Sequence, residues 1–217
     1  MAKTKAPLLS FGGSGSVAKT VVYSTWKGVK YARQHVIPAN PQTTAQMVVR
    51  RTFALLREIW KVAPELLTAP WNSFAQGRPF TGMNKLVGEN VRVLNGEADM
   101  LNFIGSPGSK GGLPPDSVVA ATGTVAGEVT ATFLVPVPPT GWTLTRCVAI
   151  AFPDQAPDGI FTGPIASGSD ATNPYVVTLG GFVPGADVIV CGWLEWVKPN
   201  GDTAYSVGVT GTAIAFT

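Results

Sequence analysis

The sequence predicts an α+β chain: an extended arm, a β-hairpin and helices, followed by a seven-stranded antiparallel β-sandwich. Three observations lead there. Apolar residues recur at helical spacing between Thr43 and Ala63. Beyond a Gly/Pro-rich segment at 105–115 the apolar period shortens to two. Short apolar runs then follow at about 117–122, 128–135, 143–152, 160–166, 174–180, 187–198 and 203–215, separated by Gly, Pro, Asn or Asp.

These signals divide the chain into an arm (1–16), a basic hairpin-plus-helices docking domain (17–104), a linker (105–115) and a sandwich domain (116–217). The arm is small, Gly-rich and basic, with too few apolar residues for a core of its own. In the hairpin, Val21, Val22 and Tyr23 lead in and Lys27-Gly28 supplies the turn. Val29, Tyr31, Arg33, His35 and Ile37 alternate on the way out. A lone hairpin is marginal in water, so it must pack on the helices, with Trp26 and Tyr31 against the 43–63 helix, or join a partner's sheet.

Pro38-Ala39-Asn40-Pro41 breaks the pattern. Thr43 with Gln46 then forms a capping box that opens an amphipathic helix. Its expected apolar stripe is Ala45, Val48, Val49, Thr52, Phe53, Leu56, Ile59, Trp60 and Ala63, with Arg50, Arg51, Arg57 and Lys61 on its back. Pro64 ends or restarts it. A second helix is expected with Pro70 in its first turn, ahead of Trp71 and Phe74. Thr81 caps a third, carrying Met83, Leu86, Val87, Val91 and Leu94.

Within the strand-rich half, Asn200-Gly201 marks a hairpin turn. The stretch from Leu179 to Val188 resembles the E–F corner of fibronectin type III domains, with Val188 where that family usually carries a Tyr. An immunoglobulin- or fibronectin-like sandwich is the expected class.

Composition limits the function classes. Of 217 residues, 45% are hydrophobic and only 13% charged, against roughly a quarter in ordinary soluble domains. That excludes a disordered chain and suggests surface covered by partners. No run of about 18 apolar residues occurs, which predicts no membrane span. The apolar run Ala6–Leu9 is too short for a signal peptide, so synthesis in a reducing cytosol is expected. Charge is unevenly spread: residues 1–95 carry thirteen Lys/Arg against three acids, residues 96–217 three against ten. The basic half should seek an acidic partner.

The chemistry-bearing residues are sparse. His35 is the one histidine, distant in sequence from Cys147 and Cys191, so neither a nucleophilic triad nor a zinc site is offered. No catalytic residue, cofactor site or metal site is expected. The cysteines read as small buried hydrophobes, with an inter-sheet disulfide as the alternative. Asp154, Asp158 and Glu195 between Trp193 and Trp196 offer carboxylates beside aromatics, the raw material of a sugar site. The preferred account is plainer: the loop acids are solvated and the tryptophan pair alternates between core and partner faces. Gly12–Ser16 ahead of Lys19-Thr20 lacks phosphate-loop spacing.

Basic residues interleaved with aromatics mark the expected docking set: Trp26, Lys27, Lys30, Tyr31 and Arg33 in the hairpin, and Arg50, Arg51 and Arg57 in the helix. Such a set can stack bases and neutralise phosphates. It also suits strand addition and charge complementarity against an acidic protein, the preferred reading.

Three stretches carry a family resemblance: Ser24–Arg33 (STWKGVKYAR), Ile37–Gln46 (IPANPQTTAQ) and Trp71–Asn84 (WNSFAQGRPFTGMN). The pattern resembles a family of uncharacterised phage and prophage proteins with an Ig-like C-terminus. The resemblance implies a virion structural role with no catalytic residues to carry over. The expectation is a particle component assembled in the host cytoplasm. A capsid decoration, cement or vertex protein, in multiple copies on the major capsid protein, comes first. A tail, neck or baseplate component, a host-surface binding module for glycan or protein, and a DNA-associated protein are the alternatives.

Overall fold

The computed structural model describes residues 2–3, 14–37 and 39–217, with only the backbone of the first two. Most of the expected arm, and Pro38 of the break, lie outside these. The chain forms two compact units, Met1–Gln42 and Thr43–Thr217.

In the first unit the described residues form a four-stranded antiparallel sheet of β1 (Ala2–Lys3), β2 (Gly15–Val17), β3 (Val21–Trp26) and β4 (Val29–Gln34), ordered β1-β4-β3-β2. Lys27 (φ 48°) and Gly28 (φ 78°) both take the left-handed conformation that a two-residue type I′ hairpin turn requires. Ala18 (φ 46°) and Lys19 (φ 54°) do the same between β2 and β3, at a strain cost that a glycine would avoid. None of this unit's described residues is buried.

The second unit begins with three helices. In α1 (Thr44–Val62) the Thr43 hydroxyl accepts from the Gln46 amide at 3.4 Å, as the capping box predicts. The buried stripe is Thr52, Leu55, Leu56 and Ile59. It is rotated from the expected one, so that Val49 and Phe53 are exposed. α2 (Glu65–Ala75) starts one turn earlier than expected, capped by Pro64, with Pro70 inside it. A proline there forfeits one helical amide, a loss offset by burial of Leu67, Pro70 and Trp71. α3 (Gly82–Leu94) is capped by Thr81, whose hydroxyl accepts from the Asn84 amide at 3.2 Å.

The strands that follow are β5 (Ser117–Thr122), β6 (Val129–Leu134), β7 (Thr143–Pro153), β8 (Ala166–Asp170), β9 (Val176–Leu179), β10 (Asp187–Val197), β11 (Thr203–Tyr205) and β12 (Val209–Ile214). They form two antiparallel sheets. One has the order β5-β6-β9; the other runs β11-β10-β7-β8, with β12 pairing further along β10. Two differences from the expected strands have physical causes. The run at 160–166 is mostly loop, because Phe161 and Ile165 are apolar for packing on a core and not for pairing. The run at 203–215 divides where Ser206 turns inward, its hydroxyl accepting from the Leu194 amide at 2.8 Å.

Both faces of the larger sheet are buried. Its inner face, with Cys147, Ala149, Ala151, Val188, Val190, Leu194 and Trp196, meets Val118, Val129, Ala131, Phe133, Val177 and Leu179 of the smaller sheet. Its outer face presents Val148, Ile150, Phe152, Ile189, Cys191 and Trp193 to Leu55, Leu56, Ile59, Leu67, Trp71, Leu86 and Leu94 of the helices. Each Val, Leu, Ile or Phe among them, fully buried, contributes about 1.5–3 kcal/mol.

The helical layer therefore belongs to the sheets, which corrects the expected division into 17–104 and 116–217. The Gly/Pro segment 105–115 is not a free linker. The Ser106 hydroxyl donates to the Ser206 carbonyl at 2.7 Å, the Ser109 amide to the Tyr205 carbonyl at 2.7 Å, and the Trp196 indole to the Leu113 carbonyl at 3.0 Å. Among the described residues no helix is long and apolar enough to cross a membrane.

Candidate functional site

The expected docking residues fall on both units. In the first, directly opposed residues of an antiparallel ladder share a face. The register Val22↔Arg33, Ser24↔Tyr31 and Trp26↔Val29 puts Trp26, Val29, Tyr31 and Arg33 together on one face. Lys30, opposite Thr25, lies on the other face. Lys27 sits in the turn with its ammonium 5.1 Å from the centre of the Trp26 ring, a cation–π contact. Trp26 is 67% exposed, an unusual cost for the largest apolar side chain. This unit holds six Lys/Arg and no acid.

Arg50, Arg51 and Arg57 belong to the second unit, on the exposed side of α1. Arg51 approaches Asp158 at 3.7 Å, an exposed pair of small energetic weight. The second unit as a whole carries ten Lys/Arg against thirteen acids.

The sugar-site reading of Trp193 and Trp196 as exposed platforms is corrected: both are fully buried, on opposite faces of β10. The disulfide alternative also fails, since Cys147 and Cys191 are free thiols belonging to different cores. Burial pushes both thiols up to about 12, assisted at Cys147 by the Asp170 carboxylate. They are poor nucleophiles. His35 lies in the first unit and both cysteines in the second. No group of three or more His, Cys, Asp or Glu is placed to hold a metal among the described residues.

At one corner of the larger sheet lies a polar cluster of which sequence reasoning names Glu195 but not Arg146 or Tyr205. The register Arg146↔Glu195 and Glu195↔Tyr205 sets three polar side chains in a row across β7, β10 and β11. The Arg146 Nε donates to Glu195 Oε2 at 2.6 Å. Burial and then the Glu195 carboxylate hold the Tyr205 phenol above its usual range, with Arg146 opposing. The row just beneath is Val148↔Trp193. Glu65, Leu66 and Ala69 of α2 close a cavity of about 220 Å³ over these residues. The available signal was Arg146 in β7 and Glu195 in β10, charges of opposite sign set among apolar neighbours.

No family model matches the chain, and no curated protein does. Among solved structures it is similar to a β-sandwich protein redesigned by computer, at 12% identity and a TM-score of 0.34. That match covers 48% of this chain and 91% of the other.

Proposed function

We propose that the chain is a non-enzymatic structural protein of a bacteriophage particle, docking through its basic N-terminal unit and presenting the larger unit as a folded module. The observation that carries the reading is the contrast between the units. The first has no buried residue among those described, an exposed Trp26–Tyr31–Arg33 face and cationic charge without a single acid. Such a sheet gains a core only by covering that face, and an acidic protein surface complements its charge. Copies arrayed on a shell would strengthen modest contacts through avidity. The first location we assign is the capsid exterior, as a decoration, cement or vertex component.

The facing sheets fit a fibronectin-type sandwich in this reading. The order β5-β6-β9 corresponds to A-B-E, and β8-β7-β10-β12 to C′-C-F-G, with β11 as an outlying start of the last strand. The helical layer on the outer face is an addition to that plan.

The test is gold-labelled electron microscopy of the encoding phage, using an antibody raised against residues 43–217. Label over the head supports the decoration reading. Label confined to the neck or tail transfers the same docking argument to a tail component. A chain absent from purified and disrupted particles overturns the structural role.

A further inference from the structure

A second surface lies on the larger unit and takes no part in the docking argument above. α1 and α3 pack side by side, and between them runs a groove of about 310 Å³ lined by Phe53, Met83, Asn84, Val87, Gly88 and Val91. Asn84 is the one polar side chain among these. Phe53 is 49% exposed, and Val49, one turn before it, is exposed as well. Small-molecule pockets set several convergent polar groups among apolar walls, which this groove does not offer. Its chemistry is that of a contact surface, and Met83 supplies the adaptable side chain that such surfaces favour.

Gly88 is the residue that the fold does not explain. It stands in the middle of α3, where glycine destabilises a helix relative to alanine. Gly82, at the start of the same helix, has a reason: a Cβ there would lie 2.9 Å from the Asn72 amide nitrogen. A Cβ on Gly88 would meet nothing within 4 Å. Glycine allows close approach of a second backbone, and none of the described residues makes that approach. A partner laid along the groove would.

Charge and geometry define that partner. Every charged residue three or four positions from a lining residue, and so on the same helix face, is basic: Arg50 and Arg57 beside Phe53, Lys85 and Arg92 beside Gly88. Glu89 pairs with Lys85 at 2.5 Å and Arg92 at 3.7 Å, so four basic groups less one acid leave a rim of net charge +3. Glu58 is spent on Lys61, and Arg51 on Asp158. Helices present no unpaired backbone edge for an added strand, so the occupant must satisfy its own backbone. Groove-to-groove pairing of two copies would set like charges against each other.

We propose that the α1–α3 groove is a docking site for an amphipathic helix of a partner protein. Its apolar stripe sits on Phe53, Met83, Val87 and Val91, its backbone runs close to Gly88, and acidic residues on its flanks meet Arg50, Arg57 and Arg92. The proposal is independent of what covers the first unit and of whether the chain belongs to a particle.

The test uses two synthetic peptides of about 18 residues with leucines at helical spacing. One is filled out with Glu and Ala, the other with Lys and Ala, and each is titrated with the full chain by fluorescence anisotropy. The acidic peptide should bind saturably and roughly 10-fold tighter than the basic one, the gap narrowing as salt is raised. Phe53→Ala should weaken it by about 5-fold. Gly88→Ala separates folding from docking: it should raise the melting temperature by about 2–4 °C yet weaken the peptide. Equal binding of the two peptides, or no binding of the acidic one at millimolar concentration, overturns the proposal. An acidic-peptide affinity unchanged by both variants overturns it too. Self-association abolished by Phe53→Ala would make a second copy the occupant. Duplex DNA bound more tightly than the acidic peptide, and lost on Arg50→Glu with Arg57→Glu, would make the rim a phosphate track. Either result overturns the partner helix.

Discussion

Cys147 and Cys191 occupy neighbouring strands of one sheet yet point into opposite cores. The register places Cys147 beside Leu194 and Cys191 beside Ile150, and the alternation of the pleat sends one thiol inward and the other toward the helices. The folded protein should therefore resist a thiol reagent and form no internal disulfide under oxidising conditions. Both thiols should react only after denaturation. Rapid labelling of the native chain would contradict this packing.

Those thiols also set an alkaline limit. Burial raises each from an ordinary 9.0 to about 12, so the folded state holds its protons more tightly than the unfolded one. The associated stability is complete below about pH 9 and is lost as pH rises toward 12. Urea midpoints measured across that window should fall, and a Cys147→Ala/Cys191→Ala variant should show a shallower decline.

At the acid end, Asp170 works in the other direction. Its carboxylate accepts from the Val176 amide at 3.0 Å and from the Thr172 amide and hydroxyl at 3.0 and 2.8 Å, which lowers it below its ordinary 3.8. Stability from this group is present above about pH 4 and is lost as pH falls below it. Asp170→Asn should lower the melting temperature at neutral pH and flatten the acid limb of the stability profile.

Asn90 pins the helical layer to the loop that follows it. Its side-chain nitrogen donates to the Leu86 and Ile104 carbonyls at 3.1 Å, and its oxygen accepts from the Ile104 amide at 2.7 Å. Asn90→Ala should cost about 2–4 kcal/mol in denaturant unfolding, since it leaves the half-buried Ile104 amide without its acceptor as well as removing bonds. Gly192 should be comparably intolerant. A Cβ there would stand 2.6 Å from the Phe133 ring and 3.1 Å from Val118, so Gly192→Ala should cost roughly 1–3 kcal/mol.

Fragment boundaries follow from the two cores. Residues 43–217 should unfold cooperatively as a soluble fragment. Residues 116–217 alone should aggregate, because Val148, Ile150, Phe152, Ile189 and Trp193 lose their cover. A well-dispersed spectrum from the shorter fragment would refute this account of the outer face.

Docking predicts a different pattern. Trp26→Ser and Arg33→Glu should reduce the chain's incorporation into particles by at least several-fold, without changing the unfolding of residues 43–217. Equal incorporation of wild type and variants would remove the first unit from the interface.

The elements were more legible than their assembly. β5 and β10 are nearly where alternation and turn residues place them, and the α1 and α3 caps are where Thr43 and Thr81 predict. β8 was obscured because Ala-Ser-Gly-Ser-Asp has no apolar alternation and is held by its pairing with β7. The helix-on-sheet layer was hidden by reading the runs at 143–152 and 187–198 as strands of period two. Both are apolar at odd and even positions, the mark of a strand covered on each side. The corner cluster escaped because cross-strand register, which joins Arg146 to Glu195 and Tyr205, is not written in any one segment.

The segment from Ser106 to Leu113 is tied to residues about ninety positions later, and this bears on how the chain is made. The three helices leave the ribosome long before β10 and β11 exist. Leu56, Ile59, Leu67 and Trp71 must wait through most of synthesis for Trp193 and Cys191 to arrive. The nascent chain thus passes through a long interval as a client for holding chaperones. Its yield in a cell should depend on the pace of translation more than on the stability of the finished molecule.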